Sequence, residues 1–446
     1  MEYELTALDN GLRIITSSMP HTHSVSVGFY LAVGSRYEED DNVGVSHFIE
    51  HMLFKGTAHW PTAADLAAAI EGRGGVFNAS TSQEITTYWV KVAQPHLAVA
   101  LEVLVDMLRA PTFAPEEIEK ERHVISEEIS MTLDIPEELV GILSNQLTWP
   151  NHPLGHDIAG TQASIAHLQR ETILNFLYQH YRPSGTVIGV AGNVSHASVV
   201  EALGELLADW SDGPPSWFEP APPLPDKPRW RVVHRPIEQA HVMITLPGLP
   251  RNDPRRFALG LLNGILGEGM SSRLFQRVRE QQGLAYSVES YASLLADTGI
   301  VNIYASVDPD RVDQAVRSLL NEVNRLREAP VSPEELHRAR EYSKGRMLLS
   351  LEDTLAVSGW YGRQALLTNE ILEVEQVIEA LNAVTPEDIQ QLAQDLFYPT
   401  SLTLAVVGPV REDAITQGLE CLDNLPVGRH GSYQLDPSGS GLPRVG

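Results

Sequence analysis

A chain of 446 residues exceeds the size at which one hydrophobic core keeps growing, so two or three domains are expected. Hydrophobic residues make up 43% of it, and no apolar run approaches the roughly 20 residues of a membrane-spanning helix, which predicts a soluble globular protein without a membrane partner. The net charge of −26, with no cluster of Lys and Arg, argues against a nucleic-acid partner.

The N-terminus and the cysteine content bear on the compartment. Residues 1–15, MEYELTALDNGLRII, lack the basic and apolar blocks of a secretory signal. The single cysteine, Cys421, excludes an internal disulfide and suits a reducing compartment. We therefore expect a cytoplasmic protein.

Strand-like and helix-like segments are mixed along the chain. The patterns LRIITS at 12–17 and TYWVKV at 87–92 predict strands. Apolar residues at helical spacing predict amphipathic helices at 96–108 and 311–326. Hairpins mixed with helices, without strict βαβ alternation, indicate the α+β class.

A proline-rich segment divides the chain near its middle. Residues 213–228 cannot continue a helix or a central strand, so they are predicted to form a stiff linker. Similar features recur on both sides: APEEIEKER at 114–122 corresponds to SPEELHRAR at 332–340, and VAGNV at 190–194 to VVGPV at 406–410. The two offsets, 218 and 216, nearly agree, which indicates an internal duplication.

The duplication and the linker predict four parts of the chain. Two homologous domains are expected at 1–212 and 229–430, each a mostly antiparallel sheet packed with helices. The linker at 213–228 connects them. Residues 431–446 are rich in Gly, Pro and Ser and are expected to be a disordered tail.

The segment SHFIEHMLFKG, residues 46–56, carries two imidazoles and a carboxylate in an otherwise apolar stretch. On a helix spanning 44–55, His47, Glu50 and His51 share one stripe, and apolar side chains occupy the opposite arc. The polar stripe is then either a solvated face or the wall of a site, and two histidines four residues apart suit a single divalent ion. The corresponding segment of the second half, FALGLLNGILG, has neither histidine nor glutamate, so only the first half is expected to carry this chemistry.

A third ligand is expected from a second helix, predicted at 118–131. Glu121 and Glu128 fall within the apolar arc of this helix, where an unpartnered carboxylate is costly. Glu128 as a metal ligand and Glu121 as the hydrogen-bond partner of a ligating histidine account for both. The rival ligand, Glu127, projects about 100° away toward the polar flank.

The His-x-x-Glu-His pattern, followed some 75 residues later by a glutamate, resembles the inverted zinc-peptidase motif of the pitrilysin, insulin-degrading enzyme and mitochondrial processing peptidase family. The run GGVFNASTSQEITTYWVKV at 74–92 is similar to the family's strand after the metal helix. The resemblance extends to about residue 430 and implies a short two-domain bacterial-type member with the LuxS/processing-peptidase-like metallopeptidase fold. It implies one Zn²⁺ per chain, bound by His47, His51 and Glu128, with Glu50 as general base.

The resemblance also implies how peptide substrates are held. Arg279 and Tyr286 are similar to a pair that in relatives binds substrate and stabilises the oxyanion. In relatives with four such domains this pair comes from the last domain and the zinc from the first, so a two-domain chain is expected to form a homodimer whose active sites are completed in trans. By the same resemblance Asn78 and Ala79 lie on a strand that pairs with an extended peptide.

Three functions from different classes are compatible with these patterns. The first is a zinc-dependent endopeptidase that cleaves extended or unfolded peptides inside a dimeric chamber. The second is a noncatalytic core or scaffold homologue of a processing peptidase, although such subunits usually lose the metal ligands that this chain retains. The third, a carboxylate-bridged di-iron oxidase, needs two Glu-x-x-His pairs in a four-helix bundle, and the β-rich pattern offers neither.

Overall fold

The computed structural model describes residues 2–214, 216–368 and 370–411. They form two compact units. The first comprises the chain up to Met131, His156–Glu219 and Met347–Val374, and the second comprises Thr132–Gly155, Pro220–Arg346 and the chain from Glu375 onward. The predicted tail at 431–446 lies outside the described residues.

The helices and strands account for most of both units. The strands are β1 (Glu4–Ala7), β2 (Arg13–Ser18), β3 (Ser24–Leu31), β4 (Val76–Thr81), β5 (Thr86–Ala93), β6 (Thr186–Gly192), β7 (Arg229–His234), β8 (Ala240–Pro247), β9 (Ala285–Leu294), β10 (Gly299–Val307) and β11 (Thr403–Gly408). The helices are α1 (Val45–Met52), α2 (Ala63–Glu71), α3 (Leu97–Arg109), α4 (Pro115–Asp134), α5 (Pro136–Thr148), α6 (Gln162–His167), α7 (Arg170–His180), α8 (His196–Leu206), α9 (Arg256–Gly267), α10 (Val312–Glu328), α11 (Pro333–Ser350), α12 (Thr354–Leu367), α13 (Val374–Ala383) and α14 (Pro386–Leu396). A short π-helical segment spans Phe275–Gln281.

The first unit is built on a six-stranded sheet in the order β1-β2-β6-β3-β5-β4. β6 runs parallel to β2 and antiparallel to β3, and the other pairs are antiparallel. Because successive side chains of a strand point to opposite faces, Val27 and Phe29 of β3 enter one core with Val90 of β5. Phe48 and Ile49 of α1 belong to the same core, so the polar stripe of α1 is turned away from it.

The second unit repeats this design. Its sheet has the order β7-β11-β8-β10-β9, with β11 parallel to β7 and antiparallel to β8. Among the described strands this order matches β2-β6-β3-β5-β4, and β1 is the one addition in the first sheet. The predicted α+β class with an internal duplication is confirmed. Helix α9 follows β8 as α1 follows β3, and it carries no histidine or glutamate.

The compact units differ from the predicted division at 212 and 229 in two segments. Helix α5 belongs to the second unit, where Leu139 and Val140 share a core with Met243 of β8. Helix α12 belongs to the first unit, where the Ser358 hydroxyl donates to the Gly189 carbonyl at 2.9 Å. Each helix covers the second face of its sheet, which a division by chain order does not anticipate. The predicted domain boundaries remain a prediction.

None of the described helices combines the length and apolar character that crossing a membrane requires. The described part of the predicted linker, 213–228, contains no helix or strand.

His180, at the end of α7, gives a stability prediction. It is buried against the Phe176 ring, with centroids 4.3 Å apart, and its Nδ1 lies 3.2 Å from the Ser216 hydroxyl. Burial, with a smaller effect of Arg182, lowers the pKa of His180 from 6.5 to about 4. Since the unfolded chain then binds the proton more readily, this contribution to stability is present above pH 6.5 and is lost as the pH falls toward 4.

We expect acidification from pH 7 to pH 5 to remove about 2 kcal/mol of stability through His180. The His180→Gln variant keeps a hydrogen-bonding side chain but does not titrate, so its unfolding free energy should fall by correspondingly less over this interval. Urea unfolding of both proteins at the two pH values measures the difference. Equal losses in the two proteins would contradict the assignment.

Candidate metal centre

Helix α1 starts at a glycine that no other residue replaces easily. Gly44 has a φ of 92°, and a Cβ there would lie 2.8 Å from the Ala159 carbonyl oxygen. The amides of Gly44 and Ser46 donate to the two carboxyl oxygens of Glu38 at 2.8 and 2.9 Å. Burial raises the pKa of Glu38 to about 7. Glu38 thus satisfies amides that the first turn leaves unpaired.

The helix ends at Met52, earlier than the predicted residue 55. The amides of Phe54 and Lys55 bond to the carbonyls of His51 and Met52, three residues back, at 3.2 and 3.0 Å. The last turn therefore tightens, a common way to satisfy the final carbonyls of a helix. His47, Glu50 and His51 lie within the regular α-helical part, Val45–Met52.

Helix α4 brings Glu128 to the two histidines of α1. Glu128 Oε1 lies 3.8 Å from His47 Nε2, and Glu128 Oε2 lies 3.5 Å from His51 Nε2. One ligand atom from each of the three residues lies within 4.8 Å of the other two. The side chains predicted as metal ligands therefore converge from two helices.

Glu121 lies two turns before Glu128 on the same helix. His51 Nδ1 is 3.0 Å from Glu121 Oε2, and Lys55 Nζ is 2.6 Å from Glu121 Oε1. Although burial favours the neutral acid, the contacts with His51 and Lys55 hold the pKa of Glu121 below its usual value. A carboxylate on Nδ1 orients the imidazole and leaves Nε2 as the basic nitrogen that faces Glu128.

The buried environment of α1 favours an uncharged His47 ring and raises the proton affinity of Glu50. Burial, together with the nearby His51, lowers the pKa of His47 to about 4, so its ring is uncharged near pH 7. Burial raises the pKa of the Glu50 carboxyl group, which lies beside Thr81 of β4. Among the described residues Glu50 Oε2 is buried and has no hydrogen-bond partner. Such an orphaned oxygen is costly unless a ligand or a reaction uses it.

The three converging residues fit a zinc ion. Two imidazole nitrogens and one carboxylate oxygen are a donor set typical of catalytic zinc. Donors about 2.1 Å from a tetrahedral centre are about 3.4 Å apart, close to the 3.5 and 3.8 Å separations between Glu128 and the histidines. Metal ligands must bind in their deprotonated forms, which the lowered pKa of His47 favours. Glu127, the rival ligand, is exposed.

Asn78 and Ala79 lie on β4, at the edge of the first sheet. Asn78 is exposed, and its Oδ1 accepts a hydrogen bond from the Ala79 amide at 2.8 Å. Phe77 of the same strand contacts Phe54 just after α1, with ring centroids 5.3 Å apart. The strand therefore runs beside the helix that carries the histidines, with one edge unpaired in the described sheet.

Arg279 and Tyr286 lie together in the second unit. Arg279 belongs to the π-helical segment and Tyr286 to β9, and the Arg279 guanidinium carbon is 5.6 Å from the centroid of the Tyr286 ring. It also lies 4.7 Å from the Phe275 ring centroid. Tyr286 is 73% exposed, so its hydroxyl is available to a ligand.

Comparisons with known proteins agree with this geometry. The family model "Insulinase (Peptidase family M16)" matches residues 13–162, and the model "Peptidase M16 inactive domain" matches residues 167–342. An uncharacterized zinc protease of Streptomyces coelicolor is 36% identical over 413 residues, 91% of this chain and 90% of its own. One from Bacillus subtilis is 35% identical over 90% of this chain and 97% of its own.

The chain belongs to the M16 peptidase family.

Solved structures share the fold of this M16 chain. A protease from Helicobacter pylori has a TM-score of 0.87 at 23% identity, and the pair covers 92% of this chain and 99% of the other. A chain of complex III2 from Candida albicans has a TM-score of 0.79 at 19% identity, covering 93% and 99%. All the predicted metal-site residues of the M16 chain fall within the insulinase match, and Arg279 and Tyr286 fall within the inactive-domain match.

The sequence reasoning missed two residues that support the candidate metal site of the M16 chain. Lys55 follows the end of α1 and contacts Glu121 of α4. On the predicted helix of 44–55 it lies four residues after His51, and this spacing is the local signal that could have found it. Glu38 could not be found in this way, because it lies in a loop and reaches the start of α1 only through the fold.

Proposed function

We propose that this chain is a zinc-dependent endopeptidase that cleaves extended or unfolded peptides. The observation that carries the proposal is the convergence of His47, His51 and Glu128 beside the buried carboxyl group of Glu50. The zinc-protease relatives, which match over 90% or more of this chain, support it.

Each residue of the candidate site in the first unit has a definite role in this proposal. His47, His51 and Glu128 would hold the zinc, and Glu121 with Lys55 would keep the His51 ring in its ligating orientation. When bound, zinc supplies Lewis-acid polarisation of the scissile carbonyl and makes a water molecule more acidic. Glu50 would accept the proton of that water at its unpartnered carboxyl oxygen and pass it to the leaving amine. The raised pKa of Glu50 is closer to the operating pH, at which proton transfer by a general base is most efficient.

The substrate would bind as an additional strand. The unpaired edge of β4 offers backbone groups to an extended peptide, and Asn78 and Ala79 would contact it. This mode requires an extended backbone, so folded proteins should be poor substrates.

Arg279 and Tyr286 would complete the active site from a second subunit. A guanidinium and a phenol are suitable donors to the negative charge that develops on the carbonyl oxygen. They lie in the unit without metal ligands, so we propose a homodimer in which each zinc site meets this pair in trans within a shared chamber. The proposed location is the cytoplasm.

Mixing two inactive variants tests the trans arrangement. A Glu50→Gln subunit lacks the proton acceptor and a Tyr286→Phe subunit lacks the phenol, so each homodimer should be inactive or strongly impaired. Subunit exchange should restore activity, because one of the two sites in a mixed dimer then has both residues. Co-purification of an untagged Tyr286→Phe subunit with a tagged Glu50→Gln subunit is the control for exchange. Absence of restoration despite demonstrated exchange would contradict the arrangement.

Zinc content and peptide cleavage test the function as a whole. We expect one zinc per chain in the purified protein and endoproteolytic fragments from a mixture of unstructured peptides, measured by elemental analysis and mass spectrometry. Chelation should stop cleavage and added zinc should restore it. A chain without zinc that leaves all peptides intact would instead favour a noncatalytic core or scaffold homologue of a processing peptidase.

A further inference from the structure

A cleft of about 380 Å³ lies within the first unit, between α12 and the first sheet. We name it the α12 cleft and define it by six of its lining residues: Tyr30, Thr87, Trp89, Leu355, Trp360 and Arg363. Phe29 and Leu31, the neighbours of Tyr30 in β3, belong to the core that contains α1. Because side chains alternate along a strand, the cleft lies on the face of the sheet opposite to α1 and the metal centre.

The lining of the cleft includes two buried polar atoms that have no hydrogen-bond partner among the described residues. Thr87 is 3% exposed, and its hydroxyl has no hydrogen-bond partner among the described residues. The indole Nε1 of Trp360 is likewise buried and without a partner in that part of the chain. A buried polar atom left unpaired costs about 1–3 kcal/mol, so a ligand that accepts from both atoms would relieve this cost.

The charged group of the cleft is a guanidinium. Arg363 is exposed and forms no ion pair within the described residues, and the residues that line the cleft include no carboxylate. Burial raises the pKa of Tyr30, which lines the same cleft. The hydrogen bond with Ser358 and then the positive charge of Arg363 partly offset this rise. The polar groups available to a ligand are thus mainly donors: a guanidinium, an indole N–H and a hydroxyl.

The remaining walls are apolar. Two indole rings, of Trp89 and Trp360, and the side chains of Leu351 and Leu355 line the same cleft. The volume is at the lower end of the range for small-molecule sites, which are mostly apolar with a few convergent polar groups. A cleft whose lining supplies three donors and two aromatic walls suits a ligand with an acidic head and an apolar body.

We propose that the α12 cleft binds an organic carboxylate that carries an aromatic or aliphatic group. The carboxylate meets Arg363 and accepts from Trp360 and Thr87, and the apolar group lies between the indole rings. Two sources share this chemistry, a free small carboxylic acid and the C-terminus of a short peptide. The site is separate from the metal centre and does not depend on the proposed peptidase activity.

Calorimetric titration of the purified full-length protein tests the site. The probes are 3-phenylpropionate, its amide, the dipeptide Gly-Phe and the C-terminal amide of Gly-Phe. We expect saturable binding of at least one acid at one site per chain, and binding of its amide about tenfold weaker or more, since a charge-assisted hydrogen bond is lost. Tighter binding of Gly-Phe assigns the site to peptide termini, and tighter binding of phenylpropionate assigns it to free acids.

Three variants locate the binding. Arg363→Gln should weaken the acid about tenfold or more, and Trp360→Phe, which keeps an aromatic ring but removes the N–H, should weaken it less. Arg346→Gln, a change of another exposed arginine outside the cleft, is the matched control and should bind as wild type. The proposal is overturned if neither acid binds saturably, if acid and amide bind equally, or if Arg363→Gln binds as tightly as Arg346→Gln.

Discussion

Glu50→Gln is expected to abolish peptide hydrolysis while leaving zinc bound. The amide has nearly the size of the carboxyl group but cannot accept the proton of the attacking water, and general base catalysis of this kind contributes about 10²- to 10⁴-fold in rate. Glu50 is not among the three residues whose ligand atoms converge, so the metal should stay. Cleavage of a quenched fluorescent peptide and zinc analysis of the same preparation measure both quantities.

The control for this variant is Glu127→Gln. It makes the same chemical change at an exposed glutamate of α4, and it should retain both zinc and activity. If Glu50→Gln keeps full activity, or if it loses its zinc together with the activity, the assignment of Glu50 as proton acceptor is wrong.

Glu128→Gln is expected to act on the metal itself. A neutral amide is a much weaker zinc ligand than a carboxylate, and here it would face His47 and His51 at the positions of the present oxygens. Changes to groups that merely support ligands cost 10- to 100-fold in affinity, so loss of a ligand should cost at least about 100-fold. Competition with a chelator of known affinity measures the change in zinc binding.

Comparison of adjacent positions makes this test specific. Glu127 and Glu128 are neighbours in sequence, but Glu127 is exposed, whereas Glu128 points to the histidines. Weak zinc binding in Glu128→Gln with normal binding in Glu127→Gln is the expected pattern. Equal affinities in the two variants would exclude Glu128 as a ligand.

The duplication is compatible with a candidate metal site in only one half of the described chain. The two sheets share an order of five strands, and the helix that follows β3 in the first is equivalent to the helix that follows β8 in the second. The shared fold therefore does not require histidines on this helix. The equivalent helix of the second unit, α9, buries leucines and Asn263. The second half keeps the architecture and is thereby free to present Arg279 and Tyr286, the pair proposed to contact substrate.

Much of the candidate site could be predicted from local patterns. His47, Glu50 and His51 share a face because a helix turns 100° per residue, and this holds wherever the helix is placed. The same rule puts Glu121 and Glu128 on the apolar side of α4, where Glu121 is buried, while Glu127 is exposed. Helix ends were less predictable, since α1 stops at Met52 through hydrogen bonds made after the last regular turn.

The amino-acid sequence by itself thus determined the residue types of the site, their faces on α1 and α4, and the repeat of two similar halves. These properties depend on neighbours within a turn or two, or on similarity between segments.

Only the tertiary structure decided that α4 brings Glu128 to within 4 Å of both histidines and that Glu38 bonds to the first amides of α1. It also decided that α12 covers the first sheet and leaves a cleft lined by Trp89 and Trp360. Such contacts join residues that are distant in the chain, and they form because the whole set of apolar faces is buried together. No local window of sequence contains that information.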